Sequence, residues 1–153
     1  MSQWVRTNQW YFRLDESPMC PLLGVPVPVE IHTREDEIQA DQMEALARFL
    51  AIPADRQPSL LGPLYADYRE VRSAINGLPD IGGPEEVWSF VKWDTVLVPR
   101  QGPTGHRFVF VQGDPAWEVE HGIELLFRDE QLVHVGRAEG AFGGRFWEWL
   151  GRK

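Results

Sequence analysis

The segment that runs from Trp117 to Gly136 constrains the fold more than any other part of this chain. Residues 123–127 are almost all apolar, residues 128–131 are polar, and residues 132–135 are again largely apolar. Two apolar runs around a short polar break are typical of a β-hairpin. The sequence therefore predicts two antiparallel strands in the last third of the chain.

The N-terminal part predicts a second hairpin over about residues 9–32. Residues 9–14 are rich in aromatic side chains, and residues 25–32 alternate apolar residues with others in the period of two that strands show. Pro26 and Pro28 have no N–H to donate to a neighbouring strand. We therefore expect that half of the second strand to lie at a sheet edge.

The apolar period lengthens to three or four residues after about residue 40, which indicates helices. A first helix is predicted to end at Pro53, a second at Asn76–Gly77, and a short third one to begin at Pro84. The predicted buried stripe of the first helix consists of Met43, Leu46, Ala47 and Leu50. Residues 40–93 are thus expected to hold two to three helices.

Further β-branched and aromatic runs at residues 95–98 and 107–111 extend the C-terminal hairpin to an antiparallel meander over residues 95–136. The predicted architecture is α+β, with an N-terminal hairpin, two to three central helices and this meander. A chain of 153 residues has the length of one domain, so we expect residues 1–153 to form a single domain. Residues 142–153 follow as an aromatic tail.

The charge balance bears on the partners of the protein. Fifteen basic and 23 acidic residues give a formal net charge of −8, which repels nucleic-acid phosphates and is compatible with a basic protein partner. The single Cys20 cannot form an intramolecular disulfide, and no apolar run approaches the ~20 residues of a membrane helix. No secretory signal pattern opens the chain. We expect a cytoplasmic protein that binds neither nucleic acid nor membrane.

Glu118, Glu120 and His121 form the closest cluster of acids and a histidine in the sequence. Carboxylates beside an imidazole can ligate a metal or perform general acid–base chemistry. In a strand, the two glutamates would share one face and His121 would point to the other. The alternative, which we favour, is that His121 and Gly122 shape the turn before the hairpin, with the imidazole bonding backbone groups and Trp117 packed in the core.

No other motif indicates catalysis or a cofactor. The phosphate-binding loop, the G-x-S-x-G nucleophile turn and the G-x-G-x-x-G fingerprint do not occur, so the sequence leans against enzymatic activity without deciding it, and no cofactor is expected. His32, His106 and His134 are scattered, and His134 should be exposed because it alternates with apolar neighbours. Cys20 has no obvious activating base nearby.

The aromatic tail allows two interpretations. Phe146, Trp147 and Trp149 could complete the core, which is favoured by the area that large aromatics bury, or they could bind a partner as interface anchors. Trp4 and Trp10 carry the same ambiguity. The acidic run at residues 35–37 is most simply a solvated face.

Three features together resemble a family of uncharacterised bacterial proteins. They are the proline- and valine-rich strand before a helix, the tyrosine-rich helix at residues 64–71 and a Trp-x-x-Glu-His-Gly element at residues 117–122. The resemblance covers about three quarters of the chain. Members often carry a cysteine just before that tryptophan, where this chain has Ala116. The resemblance implies no assigned reaction, and some relatives resemble toxin-immunity proteins.

Two hypotheses of function follow. The first is a non-enzymatic protein-binding module, such as a bacterial toxin-immunity inhibitor, that occludes a basic partner with an acidic surface and aromatic anchors. The alternative is a small metal-binding protein or metal-dependent hydrolase that uses Glu118, Glu120 and His121. Oligomeric state cannot be predicted from the sequence.

Overall fold

A computed structural model describes residues 3–138 of the chain. Its largest element is a seven-stranded mixed sheet in the order β1-β2-β5-β6-β7-β8-β9, and β3 and β4 form a separate two-stranded sheet. The strands are β1 Trp4–Arg6, β2 Tyr11–Leu14, β3 Met19–Cys20, β4 Val25–Pro26, β5 Val29–His32, β6 Val91–Val98, β7 Phe108–Pro115, β8 Ile123–Arg128 and β9 Gln131–Arg137. The predicted tail, residues 142–153, lies outside the described residues.

Three α-helices connect β5 to β6. They are α1 Ala40–Leu50, α2 Pro58–Ala74 and α3 Pro84–Val87, with 3-10 turns at Ala54–Arg56 and Trp88–Phe90. The α+β architecture is therefore confirmed. None of the helices between residues 3 and 138 has the length and apolarity to cross a membrane.

The strand pairs agree with both predicted antiparallel segments. In the N-terminal hairpin β2 pairs with β5 antiparallel, with Tyr11 opposite His32. In the C-terminal meander β6, β7, β8 and β9 pair in sequence order, all antiparallel. The short β1, which the sequence did not indicate, extends the sheet beyond β2.

The predicted single strand over residues 25–32 is in fact two strands, and the prolines for which a sheet edge was expected lie before the second one. Residues 25–32 divide into β4, which contains Pro26, and β5, which lies between β2 and β6 inside the large sheet. β5 pairs with β6 in parallel, with Val29 opposite Val96. An interior position is possible because both prolines precede β5, so every residue of that strand keeps its N–H.

The buried face of helix α1 is rotated from the predicted one: Leu46 and Leu50 contact the core as expected, but Met43 and Ala47 are exposed. Its buried residues are Gln42, Ala45, Leu46 and Phe49, whereas Met43 is 40% exposed. The Gln42 side chain donates hydrogen bonds from Nε2 to the carbonyl oxygens of His32 at 2.8 Å and Pro99 at 3.2 Å. A polar residue thus joins the helix to the sheet, and the periodicity of apolar residues alone gave the wrong face.

The core on the helical side of the sheet contains residues from all three helices and from the sheet. On α2 the buried residues are Leu60, Leu64 and Tyr68. The Tyr68 hydroxyl donates to the carbonyl of Pro79 at 2.5 Å and accepts from the N–H of Ile81 at 3.0 Å. These bonds fix the loop that leads to α3 against the second helix.

Candidate functional site

The predicted acid–histidine cluster lies in a turn between β7 and β8. Residues 116–122 lie outside the strands, so the strand arrangement of Glu118, Glu120 and His121 does not occur, and the segment is a turn as in the favoured interpretation. Trp117 is buried, as predicted, with 1% of its surface exposed. Gly122 has a φ of 73° and turns the chain into β8.

Glu118 and His121 contact each other within this turn. The backbone N–H of His121 donates to Glu118 Oε1 at 3.2 Å, and the ring Nδ1 lies 3.2 Å from the same oxygen. Burial alone would raise the pKa of Glu118, but the bonds from His121 and from the backbone of Glu120 hold that pKa below its ordinary value. The carboxylate therefore stays ionised and orders its own turn. The side chain of Glu120 is exposed.

Asp67, on α2, is a part of this site that the sequence analysis missed. The indole Nε1 of Trp117 donates to Asp67 Oδ2 at 2.9 Å, and the Trp117 ring packs edge-on against Tyr68 with centroids 5.6 Å apart. Burial raises the pKa of Asp67, and the bond from Trp117 opposes that rise. No local pattern on α2 marks Asp67, since its partner Trp117 lies 50 positions away in the sequence.

Between residues 3 and 138, no group of three or more His, Cys, Asp or Glu side chains is placed to hold a metal ion. His32 on β5 and His134 on β9 stand four strand positions apart in the sheet. His106 is paired with Asp129, with Nδ1 at 2.6 Å from Oδ2. His134 is exposed, as predicted.

A second candidate site lies where the β1–β2 turn meets the loop after β5. We call the exposed residues Trp10, Glu35, Asp36 and Glu37 the acidic tip. The N–H of Thr33 donates to the carbonyl of Trp10 at 2.9 Å, which joins the two segments. The guanidinium of Arg34 stacks over the Trp10 ring, 4.8 Å from its centroid.

The side chain of Arg6 holds the backbone of the acidic tip through hydrogen bonds. Its guanidinium donates to three carbonyl oxygens, those of Asn8 at 3.0 Å, Gln9 at 2.6 Å and Glu35 at 2.7 Å. Because the guanidinium bonds backbone carbonyls, the tip's carboxylates are left to the solvent. Within residues 3–138 the side chains of Glu35, Asp36 and Glu37 form no ion pair.

The profile of DUF6985, a domain of unknown function, matches residues 3–142. The chain belongs to the DUF6985 family. The match spans every strand and helix described above, and it agrees with the resemblance to an uncharacterised family. No curated protein and no solved structure matches the chain. The bacterial source, the Trp-x-x-Glu-His-Gly element as a family signature and the toxin-immunity relation stay predictions.

The two sites of this DUF6985 domain differ in what they can do chemically. In the 117–122 turn, the polar groups of Trp117, Glu118 and His121 form hydrogen bonds within the protein. In the acidic tip, an indole that is 37% exposed stands beside carboxylates that face solvent. The first arrangement orders the turn, and the second leaves charged and aromatic groups facing solvent.

Proposed function

We propose that this protein is a non-enzymatic protein-binding module that blocks a basic partner by occlusion, in the manner of a bacterial toxin-immunity inhibitor. One observation carries the proposal. The acidic tip holds an exposed indole beside three solvent-facing carboxylates, on backbone that Arg6 and Thr33 fix in place.

The physical roles of these residues differ. Carboxylates speed the encounter with a basic surface through long-range attraction. An aromatic side chain that becomes buried at the centre of an interface slows dissociation. A surface that is already ordered loses less conformational entropy when it binds. Steering is therefore assigned to Glu35, Asp36 and Glu37, and anchoring to Trp10.

The test is an affinity pulldown with the full chain as bait, co-expressed with the products of neighbouring genes, and mass spectrometry of what is retained. We expect one basic protein in stoichiometric amount. The double variant Asp36→Lys/Glu37→Lys should lower its association rate by about tenfold or more at low salt, and Trp10→Ala should mainly raise the dissociation rate.

The matched control is Glu16→Lys/Glu70→Lys, which changes the net charge equally at exposed positions away from the tip. It should leave most of the association rate intact. A bait that retains no partner, an acidic partner, or an equal loss of rate in both charge-reversal variants would contradict the proposal. The other predicted anchors, Phe146, Trp147 and Trp149, lie outside the described residues, so the proposal rests on Trp10.

A further inference from the structure

A cavity of about 390 Å³ opens between the beginning of helix α2 and the β8–β9 hairpin. Its apolar wall includes Leu22, Leu60 and Phe127, three core side chains that are each at most 3% exposed. Small-molecule sites in proteins commonly have volumes of ~300–1,000 Å³. The cavity is therefore large enough for a small ligand whose apolar part contacts the core.

Short side chains on α2 leave this space open. Ser59 and Pro63 both line the cavity, and their spacing of four residues places them on one face of the helix. Pro63 also lacks the N–H that would bond the carbonyl of Ser59 in a regular helix. Because both side chains are short, they do not fill the space between the helix and strand β9.

Strand β9 is irregular at the same place. Phe127 pairs with Leu132, whereas Leu126 pairs with His134. Val133 is therefore an extra residue, which makes a β-bulge. Bulges bend a strand, change the direction of its side chains and are frequent beside functional sites. Leu132, Val133 and His134 all line the cavity, so the bulge lies in its wall.

The polar groups at the rim of the cavity differ in whether they already have a partner. Glu130 accepts two hydrogen bonds of 2.9 Å from the guanidinium of Arg107, which compensates its charge. The hydroxyl of Ser59 donates to the carbonyl of Arg56 at 2.6 Å. Among residues 3–138, by contrast, no carboxylate forms an ion pair with the half-buried guanidinium of Arg56. In this part of the chain, the charge that the rim leaves for a ligand is therefore positive.

We propose that this cavity binds a small carboxylate with an apolar chain, of the size of a medium-chain fatty acid. The chain contacts the apolar wall, and the carboxylate accepts hydrogen bonds from Arg56 at the rim. A guanidinium can bond both oxygens of a carboxylate, so arginine suits this ligand. The net charge of −8 repels carboxylates from the protein as a whole, and the affinity must therefore come from these local contacts.

This site does not depend on the proposed function. Strand β9 lies at one end of the large sheet, whereas β1 and β2, whose turn carries Trp10, lie at the other. Fatty-acid binding and partner binding can therefore be measured separately, and the failure of one leaves the other intact.

Isothermal titration calorimetry of the full-length chain with octanoate tests the proposal. We expect one molecule to bind per chain with a Kd of about 1 mM or lower, the range that so small a ligand can reach. The neutral octanamide should bind about tenfold more weakly, because it has no charge to pair with Arg56. The cationic octylamine should not displace octanoate.

Two variants separate the contributions of charge and space. Arg56→Gln should weaken octanoate binding by about tenfold and leave octanamide binding nearly unchanged. Ser59→Leu should abolish the binding of both ligands, because the longer side chain fills the cavity. Urea midpoints check that each variant is folded, and Ser59→Val replaces Ser59→Leu if the leucine variant does not fold.

Exposed positions further along α2 supply the matched controls. Arg69→Gln removes the same charge, and Ser73→Leu adds the same volume at a serine whose hydroxyl also donates to a helix carbonyl, that of Glu70 at 2.7 Å. Both controls should bind octanoate as the unchanged protein does. The proposal is overturned if octanoate does not bind the full-length chain or if octylamine displaces it. It is equally overturned if the controls weaken binding as much as Arg56→Gln and Ser59→Leu.

Discussion

At the scale of the residue, Gly122 is the position where the identity of one side chain matters most for the candidate turn. A Cβ atom there would lie 2.7 Å from the carbonyl oxygen of Gly113, and the φ of 73° is left-handed. We expect Gly122→Ala to lower the free energy of unfolding by about 3 kcal/mol, of which ~1–2 kcal/mol comes from the backbone conformation. Urea midpoints measure this loss.

Gly105→Ala is the matched control for that prediction. Its φ is 83°, and a Cβ atom there meets nothing within 4 Å. It should therefore lose only the conformational part, ~1–2 kcal/mol. If both variants lost the same free energy of unfolding, the close approach of residue 122 to Gly113 would not contribute to stability.

The residues of the 117–122 turn also show what a sequence can reveal at this scale. Trp117 was predicted to be buried because a large aromatic before an apolar strand belongs in a core. Asp67 was missed because its partner is 50 positions away, and no local pattern connects a helix with a distant turn. Trp10 meets the acidic run through the bond from Thr33 and through the contacts of Arg6 and Arg34, which the fold creates.

At the scale of the element, the β8–β9 hairpin has a turn that its own residues do not favour. Asp129 and Glu130 both adopt positive φ, 49° and 63°, without being glycine. Arg107, from the β6–β7 loop, donates two side-chain hydrogen bonds of 2.9 Å to Glu130, and its backbone N–H donates to Asp129 at 2.9 Å. The neighbouring loop thus holds the turn in a conformation that costs energy.

This arrangement predicts a pH-dependent stability contribution from Asp129. Burial opposes its ionisation, but the bonds from Arg107 and His106 hold the pKa of Asp129 below its ordinary value of 3.8. Its contribution is therefore present above pH ~4 and is lost as the pH falls through the lowered pKa. Asp129→Asn should cost about 1 kcal/mol at pH 7, a modest value because the side chain is partly solvated.

Unfolding of both proteins by urea between pH 2 and pH 7 checks this expectation. The stability difference should shrink toward zero as the pH falls below about 4. Asp36→Asn, at an exposed position without an ion pair among the described residues, should give a small and nearly constant difference. A difference that grows toward acid pH would refute the assigned direction of the pKa.

The elements divide into those with local signals and those without. The hairpins were predicted because alternation and turn residues are local properties. The parallel pairing of β5 with β6 could not be predicted, since these strands are separated by all three helices. The buried face of α1 was misplaced because Gln42 is buried for its hydrogen bonds, a reason invisible to hydrophobic periodicity.

At the scale of the whole molecule, Cys20 reports on the integrity of the core. It is fully buried, and burial raises the pKa of its thiol above the ordinary value, although backbone bonds from Leu23 and Leu22 oppose the rise. We expect this thiol to be unreactive toward a disulfide reagent in the native protein and to react stoichiometrically in denaturant. The rate in intermediate urea should follow the unfolded population. Rapid reaction in native buffer would mean that the core opens locally around β3.

The connection between β5 and β6 has a consequence for how the protein emerges from the ribosome. Val29 in β5 pairs with Val96 in β6. Val96 is synthesised about 70 residues after Val29, or ~3–15 s later at ordinary elongation rates, so this pair cannot form earlier. Until then β1, β2 and β5 can form a small sheet in which the edge of β5 that later pairs with β6 is open to other chains. Pro26 and Pro28 lie immediately before that open side and lack the N–H groups that an incoming strand would use. The two prolines thus reduce the number of N–H groups that another chain could pair with in the seconds before β6 is made.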